Sequence, residues 1–429
     1  MIMKVSALIR SIENGNYDNV VKSLYPNKDM SDRKDRIIKL AQDFKELYGD
    51  LDAIIFSVPG RTELTGNHTD HNNGRVIAAS VDIDIIAIAA KCDCKTVRIK
   101  SVGYREDTVD ISNPTPDEVR KGSSSAIIAG IADYFGKHGY KYGGFCAYTT
   151  SDVMTGSGLS SSAAFEVMVA RIFSEFYNDG NIALMELAKA GKYAENEFFG
   201  KPCGLMDQAA CASGGCLWMD FENSLDPKTE KIETDLSKYG YRLCIVNTGG
   251  NHADLTDDYA AVPAEMKSIA ALMGKQTLRS CDEEDFMGRI SYLRSIVGDR
   301  AIMRAMHFFA ENKRVDVQKD ALKKGDFDTY LKNVTASGNS SFKFLQNVYT
   351  TKNVGEQGIS LALAITENFG AVCRVHGGGF AGTIQAYISA EKIEAYKSAI
   401  EAIFGENSCQ VYTIRPYGAA AVYENGIKD

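Results

Sequence analysis

The stretch Gly156-Ser-Gly-Leu-Ser-Ser-Ser-Ala-Ala164 is small and polar enough to bring backbone N–H groups close to an anion. It runs into Phe165, Val169, Ile172, Phe173 and Phe176, whose spacing puts them on one face of a helix. A glycine-rich loop entering a helix favours phosphate, because unpaired N–H donors and the helix dipole both face the ligand. The same serines could instead cap an ordinary core helix, so the loop alone decides nothing.

Three further groups stand out. Arg61, His68, Asp70 and His71 crowd a polar span, Arg61 to Gly74, between two hydrophobic runs. Guanidinium, carboxamide, imidazole and carboxylate together suit the hydroxyls of a small polar molecule. Two histidines at this spacing also raise a metal, but no third ligand lies nearby. Asp207, in the otherwise uncharged segment Pro202-Cys-Gly-Leu-Met-Asp-Gln208, is a candidate buried carboxylate, with a helix-capping aspartate as the plainer reading. A second glycine loop, Gly377-Gly-Gly-Phe-Ala-Gly382, lacks the Gly-Lys-Ser/Thr ending of a Walker site.

The elements that must position these groups are legible by period. Residues 1–50 read as two helices, through Val5, Leu8, Ile9 and Ile12 and then Ile37, Ile38, Ala41, Phe44 and Leu47. Ala53–Val58 reads as a strand broken at Pro59-Gly60, and Val76–Ala90 as a second strand. Ser123 caps a predicted helix, and another through Leu184, Leu187 and Phe198 carries Glu195 and stops at Gly200. Tyr241–Val246 and Thr383–Ile388 are strand-like, and Ala301–Val315 and Asp316–Lys332 helical. The expected fold class is α+β: a helical extension over 1–50, one domain over 51–230, a second over 231–429, and a site in the cleft between them.

Composition sets the surroundings. The chain has 429 residues, 45% hydrophobic and 24% charged, with a net charge of −8 that disfavours nucleic acid and anionic membranes. No apolar run approaches the roughly 20 residues that span a bilayer, and no signal-peptide pattern opens the sequence. Ten scattered cysteines without metal spacing suggest reduced thiols and a cytoplasmic protein. A monomer is expected, with a dimer left open.

Taken in order, these motifs resemble the GHMP small-molecule kinases, and within them the galactokinases. Pro59-Gly-Arg-x-x-x-x-Gly-x-His-Thr-Asp70 resembles the sugar-binding signature and Gly156–Ala164 the nucleotide-phosphate loop. Ala194-Glu-x-x-Phe198 with Pro202–Gln208 resembles the catalytic segment, and Gly377–Gly382 the third motif. The resemblance implies the two-domain GHMP fold, with an S5-like N-terminal domain, a ferredoxin-like C-terminal domain and the site in the cleft. It implies phosphoryl transfer from ATP to the anomeric hydroxyl of galactose, with Asp207 facing that hydroxyl and Arg61 beside it. Gly156, Ser157, Gly158, Leu159, Ser160, Ser161 and Ser162 would hold the nucleotide, and Ser162 and Glu195 Mg²⁺. Asn67, His68, Asp70, Gly204 and Tyr259 would contact the sugar.

The chain departs from that pattern at three places. Asn67 stands where galactokinases usually carry Glu, followed by His71 for Tyr; a neutral amide there admits galacturonate as the alternative substrate. Glu63 replaces the usual Asn and adds a carboxylate able to pair with Arg61. The segment Ser123–Gly130 lacks the usual Trp-x-x-Tyr, and Trp218 is the only tryptophan. A non-catalytic sugar and nucleotide sensor is the remaining reading, opposed by the complete serine loop, Asp207, Arg61 and Glu195.

Overall fold

The computed structural model describes residues 2–116, 119–153, 158–250, 255–380 and 382–429. The chain forms two compact units interleaved in sequence. The first holds Met1–Arg61, Ala79–Gly215 and Arg415–Asp429, and the second Thr62–Ala78 and Cys216–Ile414. This division is discontinuous, unlike a single boundary at 230.

The first unit opens with β1 (Met3–Lys4), α1 (Val5–Glu13), α2 (Asp18–Leu24) and α3 (Met30–Tyr48). The sequence predicts two helices here. The seven-residue α2 is too short to show a period, yet it buries Val20, Val21 and Leu24. Asp29 caps α3 by accepting from the N–H groups of Ser31 and Asp32. Val5, Leu8, Ile12 and Phe44 join Ile55, Ile86 and Ile88 in one core, so the extension is a packed layer and not a free arm.

β2 (Asp52–Thr65) passes straight through Pro59 and Gly60, where the sequence predicts a break. Gly60 serves close approach: a Cβ there would lie 3.0 Å from the Leu159 carbonyl and 3.2 Å from Val153. β3 (Arg75–Lys91) is buried along nearly its whole length, which explains its unbroken apolar run. The unit continues with β4 (Thr96–Ser101), β5 (Asp107–Asp110), α4 (Ser124–Lys137) and β6 (Phe145–Ser151). Then come α5 (Ser161–Tyr177), α6 (Leu184–Tyr193), one π-helical turn (Ala194–Phe199) and α7 (Met206–Ser213). Two strands, β13 (Ala420–Tyr423) and β14 (Gly426–Lys428), return from the far end of the chain. The strand order is β14-β13-β2-β3-β6-β4-β5, with β4 and β6 parallel.

Asp84 of β3 ties this unit together. It is fully buried and accepts from Arg36 of α3 at 2.7 Å, from Arg415 at 3.2 Å, and from the hydroxyls of Tyr25 and Ser57. Burial alone would raise its carboxyl; the two guanidinium charges outweigh that and hold it at about 2.

Cys92 and Cys94, in the turn after β3, form a disulfide, contrary to the expectation of reduced thiols throughout; the other eight cysteines are free. Their Cα atoms stand 5.3 Å apart, within the span of a bridge.

In the second unit β7 (Cys216–Asp220) pairs antiparallel with β8 (Lys228–Ile232). Then follow β9 (Tyr241–Asn247), α8 (Thr256–Leu272), α9 (Glu283–Gly288), α10 (Ile290–Lys324), α11 (Phe327–Ser340) and α12 (Gly358–Asn368). β10 (Val372–His376), β11 (Thr383–Ser389), α13 (Ile393–Phe404) and β12 (Cys409–Tyr412) complete it. The antiparallel sheet β10-β11-β9-β12 packs its apolar side chains against α12 and α13. Helix α10, broken by a kink at Gly298 (φ 79°), runs past the predicted break at 315–316 in its longer second part. It stops at Gly325 in the left-handed region, and Asp326 caps α11 by accepting from the Thr329 N–H. Among the described residues no helix is long and apolar enough to cross a membrane.

Replacing Asp84 by Asn leaves the buried Arg415 without its counter-charge and Arg36 with only the partly exposed Asp152, and should cost about 3–5 kcal/mol of stability in urea unfolding at neutral pH. The native carboxyl is depressed, so its contribution is present above about pH 4 and lost as pH falls towards its folded value. The gap between wild type and Asp84→Asn should therefore close on acidification below pH 4.

Candidate active site

Arg61 leaves β2 with its side chain aimed at Asp207, in the first turn of α7. The pairing is bidentate: Nε to Oδ1 at 2.8 Å and Nη2 to Oδ2 at 2.7 Å. Asp207 also accepts from the Ser160 hydroxyl. Burial works to raise its carboxyl, but the Arg61 charge and these hydrogen bonds prevail and hold it below the usual range. The helix N-terminus favours the anion as well. Asp207 is therefore a carboxylate at neutral pH, with a side chain 34% exposed.

Arg61 also fixes the glycine-serine loop. Its backbone N–H donates to Leu159 O at 3.0 Å, and Nη1 donates to Gly158 O. Ser160 precedes α5 in the left-handed region, at φ 59°, a conformation that costs a non-glycine residue about 1–3 kcal/mol. That turn directs its hydroxyl onto Asp207, a role that spacing alone does not reveal. Gly158 and Ser162 are exposed and Leu159 is buried. Gly156 and Ser157 lie outside the described residues.

Beside the start of α5 lies a cavity of about 690 Å³, within the first unit. Ile127, Phe165 and Phe199 give it an apolar wall, while Ser161, Ser162, Glu166 and Glu195 line a polar end. Ser124 and Ile127 come from the segment lacking the Trp-x-x-Tyr pattern. Trp218 is elsewhere, in β7 of the second unit, with Lys319 over its ring.

Glu195 sits in the π-helical turn that ends at Gly200, a distortion frequent at functional sites. It receives Lys201 Nζ on Oε1 at 3.1 Å and Gln208 Nε2 on Oε2 at 3.0 Å. Gln208 Nε2 also reaches Glu166 Oε2 at 2.9 Å. Burial, followed by the charge of Glu195, pushes the Glu166 carboxyl up to about 8. Neither Glu166 nor Gln208 is assigned a role from sequence. The available signal was a lone Glu inside the apolar run of α5. Gly204 is exposed, just ahead of α7.

The remaining predicted residues lie in the second unit. Asn67 is fully buried and makes all four hydrogen bonds its amide allows. It donates to Gly377 O at 2.7 Å and Glu63 Oε1 at 3.3 Å, and accepts from Asn347 at 2.9 Å and Ser341 at 3.3 Å. Glu63, expected beside Arg61, is held instead by the buried Arg374 of β10. Asn72 presents its carbonyl to the Leu278 N–H, so its amide nitrogen donates to His71 Nδ1. His71 Nε2–H then donates to His68 Nδ1, and His68 Nε2–H to Gly378 O. Burial lowers both imidazoles, so the chain of donors is neutral and leaves no ring nitrogen for a metal. Tyr259 of α8 donates to Gly379 O at 2.9 Å and packs edge-on against Phe380. Three consecutive glycine carbonyls, 377 to 379, are thus each held by a side chain predicted to meet the sugar. Asp70 is partly exposed and opens a short 3₁₀ turn.

Among the described residues no three His, Cys, Asp or Glu side chains form a metal cluster. A hard cation here would have to share its shell with a hydroxyl and with a ligand's phosphate oxygens, as Mg²⁺ commonly does.

Comparison with known proteins bears on family and fold. The galactokinase galactose-binding signature matches residues 42–91, and the GHMP kinases N terminal domain matches residues 126–215. A galactokinase of Actinobacillus pleuropneumoniae serotype 5b (strain L20) is 31% identical over 363 residues, covering 84% of this chain and 91% of that protein. A Streptococcus suis (strain 05ZYH33) galactokinase is 31% identical over 381 residues, covering 86% and 93% respectively. The solved Lactococcus lactis galactokinase complexed with galactose superposes with a TM-score of 0.75 at 25% identity, covering 90% of this chain and 99% of that one. A mevalonate kinase, 17% identical with a TM-score of 0.58, shares the fold. The chain belongs to the galactokinase family of the GHMP kinases.

Proposed function

We propose that this protein transfers the γ-phosphoryl group of ATP to the anomeric hydroxyl of galactose, giving galactose 1-phosphate in the cytoplasm. The observation that carries the reading is the bidentate Arg61–Asp207 pair, which keeps a partly exposed carboxylate ionised. Asp207 orients the anomeric hydroxyl and takes up its proton as the new O–P bond forms. Arg61 keeps Asp207 anionic and stabilises charge on the transferring group. The loop from Gly156 to Ser162 holds the nucleotide phosphates, with the base against the apolar wall of the cavity. Asp70, Gly204 and Tyr259 bind the sugar, while His68, with both ring nitrogens spent, holds the Gly378 carbonyl. Asn67 acts by fixing the Gly377 carbonyl, since its amide has no further hydrogen bond to give.

The donor set also suits Mg²⁺. Ser162 and Glu195 offer hard oxygens on one cavity, and the buried Glu166 Oε1 and Gln208 Oε1 beside them have no hydrogen-bond partner. When bound, Mg²⁺ supplies neutralisation of the phosphate charge during in-line transfer.

Galactose is placed ahead of galacturonate on the relatives, galactokinases 31% identical to this chain and a solved galactokinase complexed with galactose.

ADP release over galactose, glucose, N-acetylgalactosamine, galacturonate and glucuronate tests the assignment. Galactose should be the preferred substrate, and Asp207→Asn should reduce turnover by about 10²–10⁴-fold while sugar affinity by calorimetry changes little. Near-normal turnover in that variant would remove Asp207 from the chemistry. Replacing Arg61 by Met withdraws the cation that favours the carboxylate. The acidic limb of the kcat profile should then move up by about one to three pH units. An unmoved limb would show that Arg61 does not set the charge of Asp207.

A further inference from the structure

Helical geometry places residue 166 one turn beyond Ser162, on the same face of α5. Burying a carboxylate there is costly unless something repays its lost hydration. Glu166 is 0% exposed, and only one of its oxygens is satisfied: Oε2 accepts from Gln208 at 2.9 Å, while Oε1 has no hydrogen-bond partner. Gln208 is equally buried, and its own Oε1 is unpartnered too. Glu195 Oε2 lies 3.0 Å from the same Gln208 nitrogen, so two carboxylates converge on a single donor. Glu166, Glu195 and Ser162 all line the same cavity. A carboxylate kept for packing would be surrounded by donors; this one has a bare oxygen and shares its cavity with a second carboxylate and a hydroxyl. Oxygens so arranged gain most from a small, hard cation.

We propose that Glu166 is a third protein ligand, with Ser162 and Glu195, of the divalent cation that accompanies ATP, binding it directly or through one water. Gln208 is then a positioning residue, whose amide sets the orientation of both carboxylates. The inference rests on the Mg²⁺ reading given above, and adds to it a second carboxyl group, contributed by the helix that carries the phosphate loop.

The test uses the full chain with the non-hydrolysable β,γ-imido analogue of ATP and Mn²⁺ as a paramagnetic probe, titrated by electron paramagnetic resonance. In Glu166→Gln, close in shape but uncharged, the Mn²⁺ dissociation constant of the ternary complex should rise by about 10-fold or more. Affinity for the analogue in excess chelator should stay within about twofold, because the carboxylate acts on the metal and not on the nucleotide. A Mn²⁺ constant within about twofold of wild type, or an equal loss of metal-free nucleotide binding, would overturn the assignment. Glu195→Gln serves as the comparator. If wild type itself holds Mn²⁺ no better than the free nucleotide does, the Mg²⁺ reading fails and this one with it. Should Glu166→Gln not fold, a crystal structure of the wild-type Mn²⁺ complex decides by its anomalous peak. A metal more than about 5 Å from Glu166 Oε1 is beyond direct or single-water contact and excludes the role.

Discussion

The charge on Asp207 depends on Arg61, and much of the first unit is arranged around holding that pair. A carboxylate at a helix start, held in two hydrogen bonds by a guanidinium, is stabilised in its ionised form by geometry that costs nothing to reorganise. Arg61 in turn is fixed from behind, because its own N–H and one of its side-chain nitrogens are spent on the carbonyls of Leu159 and Gly158. Gly60 lets that loop approach the strand, and the left-handed Ser160 completes the ring by returning a hydroxyl to Asp207. Displacing any one of these shifts the others, so the glycine-serine loop and the Asp207 carboxylate are a single mechanical object.

The second unit shows the same economy with backbone carbonyls. Asn67, His68 and Tyr259 each take one carbonyl of the glycine loop, and the histidine tautomers are dictated outward from Asn72. The loop might have been a simple turn; held at three successive residues, it is a fixed surface. Glu63 and Asn67 exchange acid and amide relative to the pattern this chain resembles, and Arg374 neutralises the acid where it now stands. In the structure the exchange is a local rearrangement of one buried charge.

Much of this was legible from residue types. Arginine between strands, aspartate in an uncharged segment, and serines ahead of an apolar helical face are local signals, and Arg61, Asp207 and Ser162 carry them. What escaped depends on partners remote in sequence. The Glu63–Arg374 pair spans more than three hundred positions, and no local pattern foretells it. Glu166 was hidden because a charged residue inside a helical run reads as a solvent-facing position, whereas α5 is buried around most of its circumference. β2 was cut short because Pro59-Gly60 is ordinarily a breaker; the packing of Leu159 and Val153 against Gly60 overrides that preference. The break between α10 and α11 was set too early because continuous apolar periodicity hides where a glycine will cap, and Gly325 supplies the cap.

One feature of the first unit bears on how the protein is made. Its central strand β2 pairs with β13, and its buried Asp84 is neutralised in part by Arg415, both supplied from beyond residue 414. During synthesis the first two hundred residues therefore leave the ribosome with an unpaired strand edge and an under-compensated internal charge. The sheet β10-β11-β9-β12, translated later, needs nothing that follows Tyr412 and can close beforehand. Order of translation and order of completion are thus opposed, and the nascent first unit exposes its edge for as long as the second takes to be synthesised.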